Sequence, residues 1–517
     1  MRNVLLALVS MLAIVSCRDS ANIYVSDELP PIWPDYTSVT IPINIAPLDF
    51  GMADGVEFTG MKVSVFDRNG RTVLSSAGKT ARFPIRKWRK VLAASAGESL
   101  HYEVSAKVDG KWIRYVPFDI NVSRDSIDYG LTYRMIPPGY QSFGHMGLYE
   151  RRLSDFRQRT LIDSRMIESG CVNCHTANRA DPDWFSIHVR GKHSATLMHI
   201  KNQDECLNTA TDSTGGFFVY PYWHPSGRYI AYSVNKTRQS FYSSADRTLE
   251  VYDENSDVIV YCPETHKILR PALTNIKDKF ETMPAFSADG KTLFFSVADA
   301  GELPRDAMRM KYSLCSLAFD PETGQFGDHV DTLVSASRTN RSHVSVKPSY
   351  DGNYLLVTVA DYGTFLIDHP EADLWIYDLK TGEYYPAGGI NSGNTESFHN
   401  WSANSRWAVA SSRRDDGLYT RLYISHFNPE TKLFDKAFLL PQRNPRTYYL
   451  ELPYSYNTPD FTLRQVPFDV GKARKLLLSA GRTPVSLYVA KISENILPWI
   501  LKILRKILSI GKVFNLY

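Results

Sequence analysis

The chain has 517 residues, of which 43% are hydrophobic and 12% aromatic, enough for buried cores and two or three domains. Its formal net charge is +4, but residues 471–517 hold nine Lys or Arg against one acid, so the remainder is mildly acidic. Nothing in this charge distribution indicates a nucleic-acid-binding surface on the body of the protein, and we expect no nucleic-acid partner.

The first seventeen residues have the pattern of an export signal. A short basic start, residues 1–3, precedes the apolar run of residues 4–14, and Ser16 and Cys17 end it. The run is too short to cross a bilayer as a permanent helix. Its ending resembles a bacterial lipobox, which implies a lipoprotein signal over residues 1–17 with Cys17 lipidated, while an ordinary cleaved signal stays the alternative. We therefore expect an outer-membrane lipoprotein of the cell envelope that faces the periplasm or the surface.

Residues 22–125 predict a small β-sandwich of immunoglobulin-like type. Glycine-containing turns at Gly70 and Gly110 are typical of hairpins. Three segments alternate or are rich in β-formers: 38–43, 61–66 and 101–106. About a hundred residues of this kind suit a sandwich that serves as a spacer or docking module.

Cys171, Cys174 and His175 form the sequence C-x-x-C-H. In such a motif each cysteine can form a thioether with one vinyl group of haem, and the histidine can bind the iron. The export signal agrees with this, because bacteria attach such haem outside the cytoplasm. The sequence therefore predicts one covalent haem c in a segment over residues 165–200. A metal site, a thiol redox pair or a chance match stays open, although a zinc site lacks a second C-x-x-C and a redox pair would not need His175.

A second axial ligand of the iron would come from residues close in the chain. His193 follows a loop-like glycine and is the predicted ligand. The alternatives are His188, Met198 and His199, although each histidine taken singly is also consistent with an ordinary surface or core residue. A histidine ligand favours electron transfer, whereas an empty position would allow ligand sensing or peroxide chemistry. Two basic residues are candidates to pair with the haem propionates: Arg190 and Lys192.

Three further cysteines lie downstream of the motif, at Cys206, Cys262 and Cys315. Since three is an odd number, at most one disulfide forms among them and one thiol is left over. The chain therefore does not have a disulfide framework.

A degenerate repeat predicts a β-propeller over residues 130–461. Each copy has an apolar or aromatic strand end, a polar turn and a strongly β-prone strand. The turn positions 227, 290, 352 and 405 recur at intervals of 63, 62 and 53 residues, which accommodate one four-stranded sheet and its loops. Clear copies begin at Tyr222, Met283, Val346 and His399.

These copies resemble the propeller repeats of the TolB-like family, an aromatic residue followed by Ser-Pro-Asp-Gly and a basic residue. The resemblance covers residues 215–440 and implies a propeller with six blades, seven being the alternative. Together with the export signal and the stretch 170–193, the chain resembles exported TolB-like lipoproteins of Bacteroidetes that carry a C-x-x-C-H motif. The function of that group is poorly defined, so the resemblance implies an architecture more than an activity.

The C-terminal residues 471–517 form a basic tail. Residues 498–512 predict an amphipathic helix that lies on a membrane surface or packs on a partner, and a poorly ordered extension is the alternative.

The sequence as a whole predicts an all-β, exported c-type haem protein. Its expected function is electron transfer or redox sensing, with the propeller as docking surface for a protein partner and the membrane reached through Cys17. The alternative function is a non-enzymatic envelope scaffold that binds protein or glycan, with haem structural or absent. A peptidase domain is not expected, because the nucleophile motif G-x-S-x-G does not occur in the chain.

Overall fold

A computed structural model describes residues 23–137, 146–168, 170–211, 214, 218–241, 249–274, 276–451 and 454–488. These residues are mostly in β-strands arranged in eight sheets, which confirms the all-β class. Within the described ranges, every helix is too short or too polar to cross a membrane. The predicted signal with Cys17 and the predicted helix over residues 498–512 lie outside the described residues.

The N-terminal region combines two sheets with one helix. Its ten strands are β1 (Ile23–Val25), β2 (Ile32–Trp33), β3 (Thr40–Pro42), β4 (Phe50–Met52), β5 (Gly60–Phe66), β6 (Thr72–Gly78), β7 (Thr80–Ala81), β8 (Ser99–Val108), β9 (Lys111–Arg114) and β10 (Phe118–Ser123). Strands β2, β4 and β7 form a small sheet, and the other seven form a larger one. Helix α1 (Ile85–Ala94), which the sequence analysis did not predict, buries Trp88 and Leu92 on one face because they lie one helical turn apart.

Six antiparallel sheets follow, and we number them in chain order. Sheet 1 contains β11 (Gly130–Ile136), β12 (Gly147–Arg152) and β13 (Gln158–Asp163). Sheet 2 contains β14 (Cys171–Asn178), β15 (Asp181–Arg190), β16 (Ala195–Ile200) and β17 (Gln203–Asn208). Sheet 3 contains β18 (Val219–Trp223), β19 (Ile230–Phe241), β20 (Leu249–Cys262) and β21 (Lys267–Leu269).

The second half of the chain forms the remaining three sheets. Sheet 4 contains β22 (Lys279–Phe286), β23 (Thr292–Asp299), β24 (Ser313–Asp320) and β25 (Gln325–Val334), after which α2 (Ala336–Thr339) leads onward. Sheet 5 contains β26 (Ser342–Pro348), β27 (Tyr354–Ala360), β28 (Asp373–Asp378) and β29 (Tyr384–Pro386). Sheet 6 contains β30 (Glu396–Trp401), β31 (Trp407–Ser412), β32 (Arg421–Asn428), β33 (Leu433–Phe434) and β34 (Phe438–Leu439).

The strand β35 (Ser455–Thr462) joins the end of this series to its beginning. It pairs antiparallel with β11, Gly130 lying opposite Thr462, and so completes sheet 1. Six strands, which we call the inner strands, contact one another in a cyclic order: β35, β14, β18, β22, β26, β30 and back to β35. They surround a central channel, an arrangement that is compatible with a β-propeller.

The repeated turns of the sequence connect the first and second strands of sheets 3 to 6. Gly227, Gly290 and Gly352 have φ angles of 73°, 75° and 76°, a conformation that glycine adopts without the steric cost of a Cβ. Ser405 occupies the same place in sheet 6 with a φ angle of 56°. Gly290 is also tightly enclosed, since an added Cβ would lie 2.1 Å from Nε2 of His224.

Each inner strand contains a β-bulge at the same level of the channel. The bulges follow Val219, Thr282, Val344, Ser397 and Asn457, and each begins with a residue of positive φ: Tyr220, Met283, Ser345, Phe398 and Thr458. In β14 the corresponding irregularity lies between Val172 and His175. The C-x-x-C-H motif therefore spans the bulge of its inner strand.

The described start of the basic tail packs onto the sheets. Helix α3 (Val470–Leu478) begins at Asp469, whose side chain accepts a hydrogen bond from the backbone of Lys472, and it buries Ala473 and Leu477 against the core of sheets 1 and 2. Strands β36 (Thr483–Pro484) and β37 (Ser486–Leu487) then pair with the outer edges of sheets 2 and 3.

A substitution of Trp88 tests the packing of helix α1, which was not predicted from the sequence. It is fully buried, stacks on Phe83 and donates a hydrogen bond from Nε1 to the carbonyl of Ile45 at 2.9 Å. We expect Trp88→Ala to lower the free energy of unfolding by about 3–5 kcal/mol in urea titrations. The control Tyr24→Ala, an aromatic 64% exposed, should change it by less than about 0.5 kcal/mol, and equal effects would contradict the packing described.

Candidate functional site

The C-x-x-C-H motif lies on the wall of the central channel. Cys171, Cys174 and His175 belong to β14 and are only 9%, 6% and 7% exposed. The motif is therefore part of an inner strand and is largely closed to solvent.

Both thiols lie on the side of sheet 2 that faces sheet 3, where Cys174 contacts it, while Cys171 contacts Arg134 of sheet 1. Arg190 lies opposite Cys171 in the neighbouring strand, so their side chains share one face of sheet 2. Ser186, four residues before Arg190 and on the same face, hydrogen-bonds Tyr232 of sheet 3 at 3.0 Å. The backbone N–H of Tyr220, also in sheet 3, donates to Sγ of Cys174 at 3.4 Å. We call this side of sheet 2 the thiol face.

His175 lies on the opposite face of β14. Its partner in β15 is Ile187, and its ring is 6.0 Å from that of Phe185; both neighbours belong to or contact the core that sheet 2 shares with sheet 1. The strand thus separates the histidine of the motif from the face that carries Cys171. His175 instead lines the central channel.

Arginines and burial set the chemistry of the thiols. Nη2 of Arg134 donates to Sγ of Cys171 at 3.3 Å. Burial raises the pKa of the Cys174 thiol, while the positive charges of Arg190 and Arg134 act in the opposite direction and do not cancel the effect. The Cys174 thiol is therefore protonated at neutral pH and is a poor nucleophile in the folded protein.

His188 is the predicted histidine ligand that shares the thiol face. It alternates with Arg190 and Ser186 along β15 and lies opposite the bulge that contains Cys174. Its Nδ1 contacts the hydroxyl of Thr196 at 2.9 Å, and no described residue hydrogen-bonds its buried Nε2. Burial lowers the pKa of His188 to about 3, so its imidazole is neutral, the form that binds metals.

The other two predicted histidine ligands contact carboxylates, and Met198 lies on the thiol face opposite Ser186. Nε2 of His193, the preferred candidate, lies 3.1 Å from a carboxylate oxygen of Glu168. Nδ1 of His199 lies 2.5 Å from the carboxylate of Asp204. Met198 is buried in the core between sheets 2 and 3. In the part of the chain that the structure describes, no three His, Cys, Asp or Glu side chains are grouped so as to hold a metal ion.

A long hairpin, which was not predicted from the sequence, also borders the channel. Strands β19 and β20 extend beyond the other strands of sheet 3. Asp253 of β20 accepts hydrogen bonds from Asn235 at 2.8 Å and from Thr364, in the β27–β28 connection of sheet 5, at 3.0 Å. The hairpin is thereby tied to sheet 5. The polar residues that make these contacts are scattered along the sequence and form no repeated pattern, so the sequence gives no signal for the hairpin.

His369 strengthens this connection. It contacts Glu250 of β20 and Glu371 of its own connection, each at 3.1 Å. Burial acts to lower the pKa of His369, but the hydrogen bonds to the two glutamates outweigh it and raise the pKa to about 9. The imidazolium is therefore the bound form at neutral pH.

The inner strands enclose a cavity of about 70 Å³, which we call the channel cavity. Cys174 and His175 line it together with residues from the five other inner strands. A porphyrin is many times larger than this space, so a haem on these cysteines would lie outside the channel cavity. The donor set itself fits covalent haem: Cys171, Cys174 and His188 lie on one face, beside two arginines suited to propionates.

Comparisons with known proteins yielded only distant structural similarity. No family model and no curated protein matches the chain. Among solved structures, it resembles a puromycin-hydrolysing peptidase of Mycobacterium tuberculosis at 11% identity and a TM-score of 0.31, over 69% of this chain and 53% of the peptidase. It thus spans about half the length of that protein.

Two other solved structures are matched over almost their whole length. One is the β-propeller domain of the Trilobed protease of Pyrococcus furiosus, at 10% identity over 68% of this chain and 96% of that one. The other is a DUF4784 family protein of Bacteroides caccae, at 9% identity over 70% and 96%. Both TM-scores are 0.31, so the description of the fold rests on the strand pairing itself.

The burial of the thiols predicts their reactivity. In protein made without haem, we expect iodoacetamide at pH 8 to modify the half-buried Cys262 at least about tenfold faster than Cys171 and Cys174, because both are shielded from the reagent and burial also raises the pKa of Cys174. Peptide mass mapping over time measures the rates, and labelling in urea serves as control. Equal rates in the native protein would contradict the buried position of the motif.

The raised pKa of His369 predicts a pH dependence of stability. Since the fold favours the protonated form, its contribution is complete below pH 6.5 and is lost as the pH rises from 6.5 through about 9. We expect the free energy of unfolding to fall across this range more in the wild type than in His369→Gln, by on the order of 2 kcal/mol. Urea titrations at pH 6, 7.5 and 9.5 test this, and parallel curves for both proteins would contradict it.

Proposed function

We propose that the protein is an exported c-type haem protein of the cell envelope that transfers electrons or senses redox state. Cys171 and Cys174 would hold one haem through thioethers. The observation that carries the proposal is the strand register, which puts Cys171, His188 and Arg190 on one face of sheet 2. When bound, haem supplies one-electron chemistry.

The arrangement on the thiol face supports a specific set of roles. His188 is our candidate for an iron ligand, in place of the sequence-predicted His193, because its Nε2 is neutral and has no described hydrogen-bond partner. Arg134 and Arg190 would pair with the propionates. His175, the expected proximal ligand, remains a candidate only if β14 changes its course around the bulge, since it now lies on the other face.

Burial of the motif implies an order of events. A thiol that is packed against sheet 3 is shielded from a vinyl group, so attachment at Cys171 and Cys174 would precede the pairing of β14 with β15. Haem would then be part of the folding of sheet 2 rather than a late addition.

The six sheets, we further propose, are the six blades of a TolB-like propeller. The cyclic contacts of the inner strands and the pairing of β35 with β11 support this count, because mixing the first and last strands in one blade closes such a ring. The propeller would dock a protein partner, and lipid on Cys17 would hold it at the outer membrane.

A second candidate function is a non-enzymatic envelope scaffold that binds protein or glycan and has no haem. The observation that favours it is the packing of the thiols against Arg134 and Tyr220, next to a cavity too small for a porphyrin. In that case the cysteines would be buried core residues.

A pyridine haemochrome spectrum separates the two candidates. We expect protein expressed with a c-type maturation system to show the α-band of thioether-linked haem, with haem retained on denaturing gels. Cys171→Ala and Cys174→Ala should each reduce the retained haem severalfold, and the double variant should lose it, because each thiol supplies one covalent bond. The matched control Cys206→Ala, buried in β17 of the same sheet, should retain haem.

A companion measurement tests the ligand. His188→Ala should leave the covalent haem in place but alter its absorption spectrum, because an axial position changes. A wild-type protein without an α-band would contradict the haem proposal and favour the scaffold.

A further inference from the structure

The channel cavity carries polar chemistry that the proposed function does not use. The first residue after the bulge of each inner strand lies at one level of the channel. In strand order around the ring these residues are His175, Tyr222, Ala285, Lys347, Asn400 and Asp460. Their placement follows from the shared bulge, so it is a consequence of the ring itself.

The carboxylate at this level is bound by the wall. Oδ1 of Asp460 accepts a hydrogen bond from Nδ2 of Asn400 at 2.5 Å, and Oδ2 accepts one from the backbone of Ala177 at 2.7 Å. Burial raises the pKa of Asp460 to about 6, so it is ionised at neutral pH. Its oxygens are thus held in place by donors of the protein.

The ammonium at this level, that of Lys347, has no hydrogen-bond partner among the described residues, although the charge of Asp460 attracts it. Nζ of Lys347 lies 5.1 Å from the centroid of the Tyr222 ring, and no described residue accepts a hydrogen bond from it. Burial lowers the pKa of Lys347, because its charged ammonium form is less stable when it is kept from bulk water. A lysine has three N–H donors, and an oxygen ligand in the cavity would satisfy them.

The size and lining of the cavity limit what that ligand is. A volume of about 70 Å³ holds roughly five water molecules, which corresponds to a molecule of about four to six heavy atoms. Pro221 and Pro284 contribute apolar surface and lack N–H groups that would bind a highly charged anion. Asp460 in the same wall disfavours multiple negative charge. A singly charged anion with a short apolar part fits best.

We propose that the channel cavity binds a small monocarboxylate, whose oxygens accept hydrogen bonds from Nζ of Lys347 while its short carbon chain contacts Pro221 and Pro284. The site borders the thiol face, since Cys174 also lines the channel cavity, but Lys347, Pro221 and Pro284 lie on other inner strands and would bind the ligand without haem. It gives the ring a small-molecule ligand in addition to any protein partner.

Titration calorimetry on the full chain, made without haem, tests the proposal with acetate as the probe. We expect the wild type to bind acetate, and Lys347→Met and Lys347→Gln each to weaken binding about tenfold or more, as loss of a charged hydrogen bond does. The matched control Lys291→Met, at an exposed repeat turn, should bind as the wild type does. Urea titrations establish that each variant is folded, and the milder glutamine substitution stands in if the methionine variant is not.

Three results would overturn the proposal. They are a wild type that does not bind acetate, Lys347 variants that bind it unchanged, and a wild type that binds inorganic phosphate as well as acetate. The last would identify a general anion site instead. Methylammonium, a cation of similar size, should not bind. If it bound in preference to acetate, the cavity would be a cation site in which Asp460 supplies the charge.

Discussion

The pairing of β35 with β11 joins the two ends of the series of six sheets. Sheet 1 contains strands from both ends of the series, Gly130 lying opposite Thr462, so the ring of inner strands is held shut by backbone hydrogen bonds. Closure places six bulges at one level, because each inner strand repeats the same irregularity. The channel cavity and the site around Cys174 are both consequences of that arrangement. A change that opened the β11–β35 pair would disturb both sites, because Asp460 of β35 lines the channel cavity and Arg134 of β11 contacts Cys171.

The bulge in β14 has a direct effect on the candidate site. In a regular strand, residues three apart lie on opposite faces. The extra residue between Val172 and His175 shifts this alternation, so Cys171 lies beside Arg190 of sheet 2 and Cys174, on the same face, contacts Tyr220 of sheet 3. The two thiols of the motif therefore lie on one face of the sheet, and its histidine lies on the opposite face. His188, from the adjacent strand, supplies an imidazole on the thiol face.

The sequence predicts much of the fold, because the turns are encoded locally. Gly227, Gly290 and Gly352 lie at the turns that the repeat identifies, where positive φ requires a residue without a Cβ or one that tolerates the strain. The repeat is not recognisable in the sequence of sheet 2, because the corresponding turn is formed by Arg179 and Ala180, both with positive φ. The site was less predictable. Whether His188 or His193 shares a face with the cysteines depends on a one-residue bulge and on Glu168, neither of which chain distance reveals.

The proposed function requires that the cysteine pair of β14 carries a haem. Peptide mass spectrometry of protein purified from a membrane fraction, after expression with c-type maturation, tests it most directly. We expect a peptide containing Cys171 and Cys174 with one haem bound through both sulfur atoms, and an unmodified Cys206 in the same sample. Recovery of that peptide with two free thiols or with a disulfide, from protein that otherwise folds normally, would contradict it.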